Sequence, residues 1–155
     1  MPSEKEELTD EEKAADFLVR AACSLNKQCE NRVEGDNHVH AYSGYAVDIP
    51  SLESAIFAPF QVIMGQERRP GIYDRAAALL VHVAKAHAFH DGNKRTALHL
   101  AIFYLRLNGI TVRPTPNAEA GADLVTSVTS SEEDLDALVH YVSTTLVKWT
   151  TLNRG

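Results

Sequence analysis

Two long helical stretches separated by only a few residues leave this chain little freedom in how it folds. From Asp74 to Ala88 the sequence carries five alanines before His87 and a Leu79-Leu80-Val83 stripe, with neither glycine nor proline. That composition is strong helix material. The pattern stops at Phe89-His90-Asp91-Gly92 and resumes from Asn93 to Asn108, where Ala97, Leu98, Ala101, Tyr104 and Leu105 share one side. Asn108-Gly109 then supplies a left-handed C-terminal stop. These two helices are expected to form the core pair.

The other segments are read around that pair. With 155 residues the chain is sized for one domain, 1–155, able to bury a substantial core. Thr9 followed by Glu12 has capping-box spacing, and Ala14, Phe17, Leu18, Ala21 and Leu25 recur at three- and four-residue steps, predicting a helix from Asp10 to Leu25. Asn26 to Asp48 is polar and turn-rich and reads as an ordered loop. Pro50 fits a first helical turn, and Leu52, Ala55 and Ile56 share a face until Pro59 ends a short helix. Gln61 to Gly71 reads as a projecting flap or small hairpin. Ile110 to Arg113 reads as a short extended piece broken by Pro114 and Pro116. Helices follow over Ala118 to Ser127 and Glu132 to Trp149, the last opened by Ser130 with Glu133 three residues on. The fold class is therefore all-α for the most part, a compact helical bundle with a small flap before the core pair.

Charge narrows the function classes. A formal net charge of -6 argues against general affinity for nucleic-acid phosphates and leaves only a local anion site open. No apolar run is long enough to span a bilayer, and the acidic start is unlike a secretory leader, so a cytoplasmic protein is expected. Cys23 and Cys29, with no second pair, read as reduced structural thiols.

The chemistry concentrates in His87-Ala88-Phe89-His90-Asp91-Gly92-Asn93-Lys94-Arg95. Gly92 permits a tight turn, after which Asn93, Lys94 and Arg95 begin a helix whose first N–H groups lack partners and whose dipole is positive there. Cations usually favour the other end of a helix, so Lys94 and Arg95 point to a compensating anionic ligand such as phosphate. Asp91 is a hard-oxygen ligand beside that site, suited to a magnesium ion that keeps most of its waters. His87 ends the preceding helix, placed to accept a proton from an incoming hydroxyl. Phe89, apolar among polar neighbours, is expected to anchor the loop in the core. His82, His90 and His99 read as surface or packing residues, Arg68-Arg69 as a solvated turn, and Lys85 as an exposed helical lysine or one further cation.

This stretch resembles the signature of the Fic/Doc superfamily, H-x-F-x-[DE]-G-N-[GK]-R, and is closest to its Doc (death-on-curing) branch, in which lysine follows the asparagine and Lys94-Arg95-Thr96-Ala97 continues the motif. Leu52-Glu53-Ser54-Ala55 with Pro59, the alanine-rich helix from Ala76, and Ala101 to Gly109 extend the resemblance over roughly Asp48 to Trp149. It implies a bundle of about six helices and transfer of a nucleotide-derived phosphate group to a protein hydroxyl. His87 would be the general base and Asp91 the magnesium ligand. Gly92 and Asn93 would form the backbone and amide part of the anion cradle, and Lys94 and Arg95 would hold the β- and γ-phosphates. In the AMP-transferring branch a glycine follows the asparagine and a second arginine lies three residues beyond the first; here those positions are Lys94 and Leu98. The Doc-like outcome is then expected: a toxin acting as a protein kinase that moves the γ-phosphate of ATP to a threonine of translation elongation factor Tu, silenced by a Phd-type antitoxin.

Three alternatives stay open on the residues. One is a Fic-type AMP transferase. A second is an HD-type metal phosphohydrolase built on His90-Asp91 with His82. The third is a nucleotide-binding module without catalysis. The self-inhibitory pattern [ST]-x-x-x-E-[GN] of restrained Fic proteins does not occur in the sequence: after Ser3 and Glu7 comes Leu8, while Glu30-Asn31 and Glu34-Gly35 are preceded by Asn26 and Glu30 where serine or threonine is required. Inhibition in trans is therefore expected.

Overall fold

The computed structural model describes residues 10–30, 47–112 and 118–151. Within them run six α-helices and one hairpin: α1 (Asp10–Glu30), α2 (Ile49–Phe57), a 3-10 turn (Ala58–Phe60), β1 (Val62–Ile63), β2 (Gln66–Glu67), α3 (Ile72–Ala86), α4 (Asn93–Leu107), α5 (Ala118–Ser130) and α6 (Leu135–Thr151). The mostly helical class is as expected. The central part of the Asn26–Asp48 loop, the proline segment after Val112, Thr9 and the side chain of Cys29 lie outside what is described.

Helix α3 is the axis of the molecule. Its residues Ala76 to Val81, Val83 and Ala84 are all buried, and it packs against α2, α4, α5 and α6. A helix apolar on all sides belongs inside, and small alanines let neighbours approach from several directions. Helix α1 lies across α4 and α2. Phe89, Leu100, Leu105, Val128, Val142 and Leu146 join the same core. No helix among the described residues is long and apolar enough to cross a membrane.

Several boundaries differ from the sequence reading, each for a local reason. Helix α1 runs five residues past Leu25 to Glu30, because Asn26, read as the start of a loop, is buried at 4% exposure with its amide satisfied. Helix α3 stops at Ala86 rather than Ala88, since His87 takes a left-handed conformation, φ 48° and ψ 43°. Helix α6 opens at Asp134, whose Oδ1 accepts the Ala137 N–H at 2.8 Å, instead of at the Ser130/Glu133 pair. The end of α4 is as read: the Gly109 N–H bonds the Arg106 carbonyl and the Ile110 N–H the Leu105 carbonyl, with Gly109 at φ 79°, a Schellman closure.

The flap is a hairpin. Val62 pairs with Glu67 and Ile63 with Gln66, turning through Met64 (φ 53°) and Gly65 (φ 77°), two successive left-handed residues as a type I′ turn requires. Its tip is open to solvent, Met64 being 97% exposed. Its base is fastened by Arg75 of α3: the guanidinium donates to Glu67 Oε1 at 2.9 Å, Nε donates to the Arg69 carbonyl at 2.7 Å, and the group lies over the Phe60 ring. Arg69, read as part of a solvated turn, instead pairs with Asp136 of α6 at 2.6 Å.

Candidate active site

The candidate site is the junction of α3 and α4, and its shape follows from one buried anchor and three hydrogen-bonded ties that hold the loop from different sides. Phe89 is buried, as expected for an anchor. The Asn93 carboxamide closes the loop on itself: Oδ1 accepts the Phe89 N–H at 3.0 Å and Nδ2 donates to the Phe89 carbonyl at 2.8 Å. The Ala88 carbonyl accepts the Asp48 N–H at 2.8 Å, joining the loop to the start of α2. Finally Asn26 of α1 donates to the Asp91 carbonyl at 2.8 Å and to Thr96 Oγ1 at 3.1 Å.

On that scaffold the predicted site residues fall on one short segment at one end of the core pair. His87, Asp91, Lys94 and Arg95 are all exposed. His87 caps the C-terminus of α3 and Gly92, at φ 76°, the N-terminus of α4. A left-handed residue is uncommon outside glycine, so the imidazole is aimed by a backbone held against its preference. No side chain caps α4 and no acid sits in its first turn, which leaves the helix N-terminus, with Lys94 and Arg95 on it, suited to an anion. The Asn93 amide is largely spent on Phe89, so its first task here is to shape the loop that presents the N–H groups. Asp91 Oδ1 accepts the Gly92 N–H at 2.8 Å.

One exposed carboxylate beside an anion site suits a hard cation that completes its shell with phosphate oxygens and water. No group of three or more His, Cys, Asp or Glu able to hold a metal occurs among the described residues. The HD-type arrangement therefore finds no ligand set there. His82 is half-buried on α3, and burial together with Arg69 and Arg68 holds its imidazole pKa below the usual value. Lys85 donates to the Ser131 carbonyl at 3.2 Å. Both line, with Pro50, Ser51, Ser54 and Ala86 among others, a groove of about 580 Å³ between α2 and α3.

The residue that sequence reasoning missed is Asn26. Ala15, Leu18, Val19 and Ala22 form the buried face of α1, and Asn26 lies four residues after Ala22 on that face. A polar residue continuing an apolar stripe was the available signal.

Leu98, at the position where AMP transferases carry a second arginine, is partly buried against the core. It faces α5 so closely that a Cβ on Gly121 would come within 2.7 Å of its Cδ2.

The loop lies within a longer stretch that resembles known proteins. The model of the Fic/DOC family matches residues 16–105, beginning inside α1 and so reaching further towards the N-terminus than the motif-based resemblance. The chain is 35% identical over 91 residues to a protein named Toxin Doc of Mycolicibacterium smegmatis, a match covering 59% of this chain and 70% of that protein. It is 33% identical over 98 residues to Protein kinase doc of Escherichia phage P1, covering 63% and 75% respectively. With its signature loop at the end of the core helix pair, the chain belongs to the Fic/DOC family.

Proposed function

We propose that this protein is a Doc-like toxin of a toxin–antitoxin pair that acts as a protein kinase, transferring the γ-phosphate of ATP to a hydroxyl of a translation factor and so arresting translation. The observation that carries the reading is the pair of positions separating the two branches of the family. Lys94 stands in the first turn of α4, and Leu98, packed towards α5, leaves no second arginine for the AMP-transferring pocket. The names of the two relatives point the same way. A threonine of elongation factor Tu is the proposed acceptor, and a Phd-like protein the proposed antitoxin in trans.

In this mechanism the hydroxyl oxygen of the acceptor attacks the γ-phosphorus, its proton passes to the His87 imidazole, and the bond to the β-phosphate oxygen breaks to release ADP. Lys94 and Arg95, with the N–H groups of the α4 first turn, balance the charge on the β- and γ-phosphates. Asp91 would hold magnesium, which supplies further charge neutralisation when bound. The protein's part is alignment and electrostatics, which is what phosphoryl transfer asks of an enzyme.

The test is incubation of the purified protein with γ-labelled and, separately, α-labelled ATP and a cytoplasmic extract. Label from the γ position on protein supports the kinase. Label from the α position identifies an AMP transferase, and phosphate release without labelled protein a phosphohydrolase. Nucleotide binding without any transfer leaves a binding module. Toxicity is tested by inducing the wild type and His87→Ala from one promoter: growth arrest by the wild type alone is expected, and equal growth with both proteins soluble refutes the toxin assignment.

A further inference from the structure

We propose that Asn26 is a positioning residue for phosphate transfer: from α1 its amide braces both ends of the turn that carries Asp91, Gly92, Asn93, Lys94 and Arg95. This rests on the kinase reading for what the turn does, and on geometry alone for how the turn is held.

Asn26 is 4% exposed on a face otherwise made of Ala15, Leu18, Val19 and Ala22. An apolar residue would be the ordinary occupant, and a buried amide is tolerated only when its polar atoms find partners. Nδ2 carries two hydrogens and has two acceptors, one at each end of the anion-binding turn. The Asp91 carbonyl accepts at 2.8 Å and Thr96 Oγ1 at 3.1 Å. Between those points, the Gly92 N–H is bonded to Asp91 Oδ1 and the Gly92 carbonyl to the Thr96 N–H. The peptide between Asp91 and Gly92 is thus gripped through the Asp91 carbonyl by Asn26 and through the Gly92 N–H by Asp91's own carboxylate. Rotation of that peptide would move the carboxylate and the first N–H groups of α4 together. Thr96, fully buried, fixes the far end. The residues linked are 65 and 70 positions apart in sequence, so nothing local replaces the tie.

The test compares the full chain with Asn26→Leu, which keeps the branched shape and heavy-atom count and loses both donors, and with Thr96→Val, which removes one acceptor and serves if the first variant folds poorly. Amide hydrogen exchange is followed over residues 88–96 and, as an internal reference, over the α3 core at 76–84. Single-turnover γ-phosphate transfer is measured alongside. Exchange at Gly92 and Thr96 is expected to speed up about tenfold in Asn26→Leu, with the α3 core unchanged. The transfer rate constant should fall roughly tenfold to a hundredfold at unaltered KM for the acceptor protein. Thr96→Val should shift both readouts in the same direction, and the double variant should fall short of the product of the two effects. Uniform acceleration of exchange across the chain would make Asn26 a stability residue only and overturn the proposal. So would a folded Asn26→Leu that exchanges and transfers like the wild type. The exchange experiment needs no reaction, so a wild type that transfers nothing refutes the kinase while leaving the brace to be judged by exchange.

Discussion

At the residue scale, His87 is asked for two things that oppose each other. It ends α3 in the left-handed region, which costs a residue with a Cβ about 1 kcal/mol that glycine does not incur, and it presents the imidazole proposed as the base. Replacing it should separate the two. His87→Ala and His87→Gly should both lose transfer by roughly 10²- to 10⁴-fold while binding nucleotide. His87→Gly should unfold at a higher urea concentration than His87→Ala, by the equivalent of about 1 kcal/mol; equal midpoints would show that the left-handed cap carries no strain. His82 provides a pH signature. Burial, with Arg69 and Arg68, depresses its folded pKa, so the unfolded chain takes up the proton first as pH falls. Stability from this group is complete above the ordinary imidazole pKa of about 6.5 and is lost as pH drops towards the depressed folded value. Denaturation midpoints between pH 7 and 5 should therefore decline, and His82→Gln should flatten that decline. The candidate site was legible at this scale wherever a residue contradicted its local setting, as Lys94 and Arg95 do at a helix N-terminus. Asn26 contradicted its setting too, but only once α1 was known to continue beyond Leu25.

At the scale of elements, local signals placed the helices and tertiary packing set their ends. Three residues, Ser130, Ser131 and Asp134, could each open α6. Ser130 is instead the last residue of α5, its hydroxyl donating to the Thr126 carbonyl, and Ser131 accepts the Glu133 N–H in the connecting turn, so Asp134, accepting the Ala137 N–H, is the one that opens the helix. The hairpin was readable from Gly65 and Pro70-Gly71, yet its fastening was not, because Arg75 sits inside a helix whose other residues speak only of core. Arg75→Met keeps the apolar stem and removes the guanidinium that lies over Phe60 and donates to Glu67 and to the Arg69 carbonyl. Bonds from a charged donor, one of them to a half-exposed partner, support an expected loss of about 1 to 2 kcal/mol. The informative readout is the Arg68 amide, bonded to the Gln61 carbonyl across the hairpin base. Its exchange should accelerate while amides of α3 and α4 keep their protection, and parallel acceleration in all three would mean that Arg75 supports the core and not the flap.

For the whole molecule, the packing of α5 onto α4 depends on the absence of a side chain at Gly121. Alanine would gain about 1 kcal/mol of helix propensity and lose it again by displacing Leu98, whose Cδ2 a new Cβ would meet at 2.7 Å. Gly121→Ala should therefore be close to neutral in the wild type and stabilising by up to about 1 kcal/mol in a Leu98→Ala background, and chemical denaturation of the four proteins decides it. The brace from α1 to the loop has a further consequence, for the order of events while the chain is being made. Helix α1 leaves the ribosome before α4 does, and the carbonyl and hydroxyl that it holds arrive 65 and 70 residues later. The α3–α4 pair is local and can form quickly, whereas the return of α1 must close a long loop and comes late. In refolding, helical signal should recover before competence for transfer does. On the proposed toxin reading, a nascent chain would then stay harmless until synthesis has passed α4, and the interval before α1 docks is time in which the proposed antitoxin, already present, can reach it.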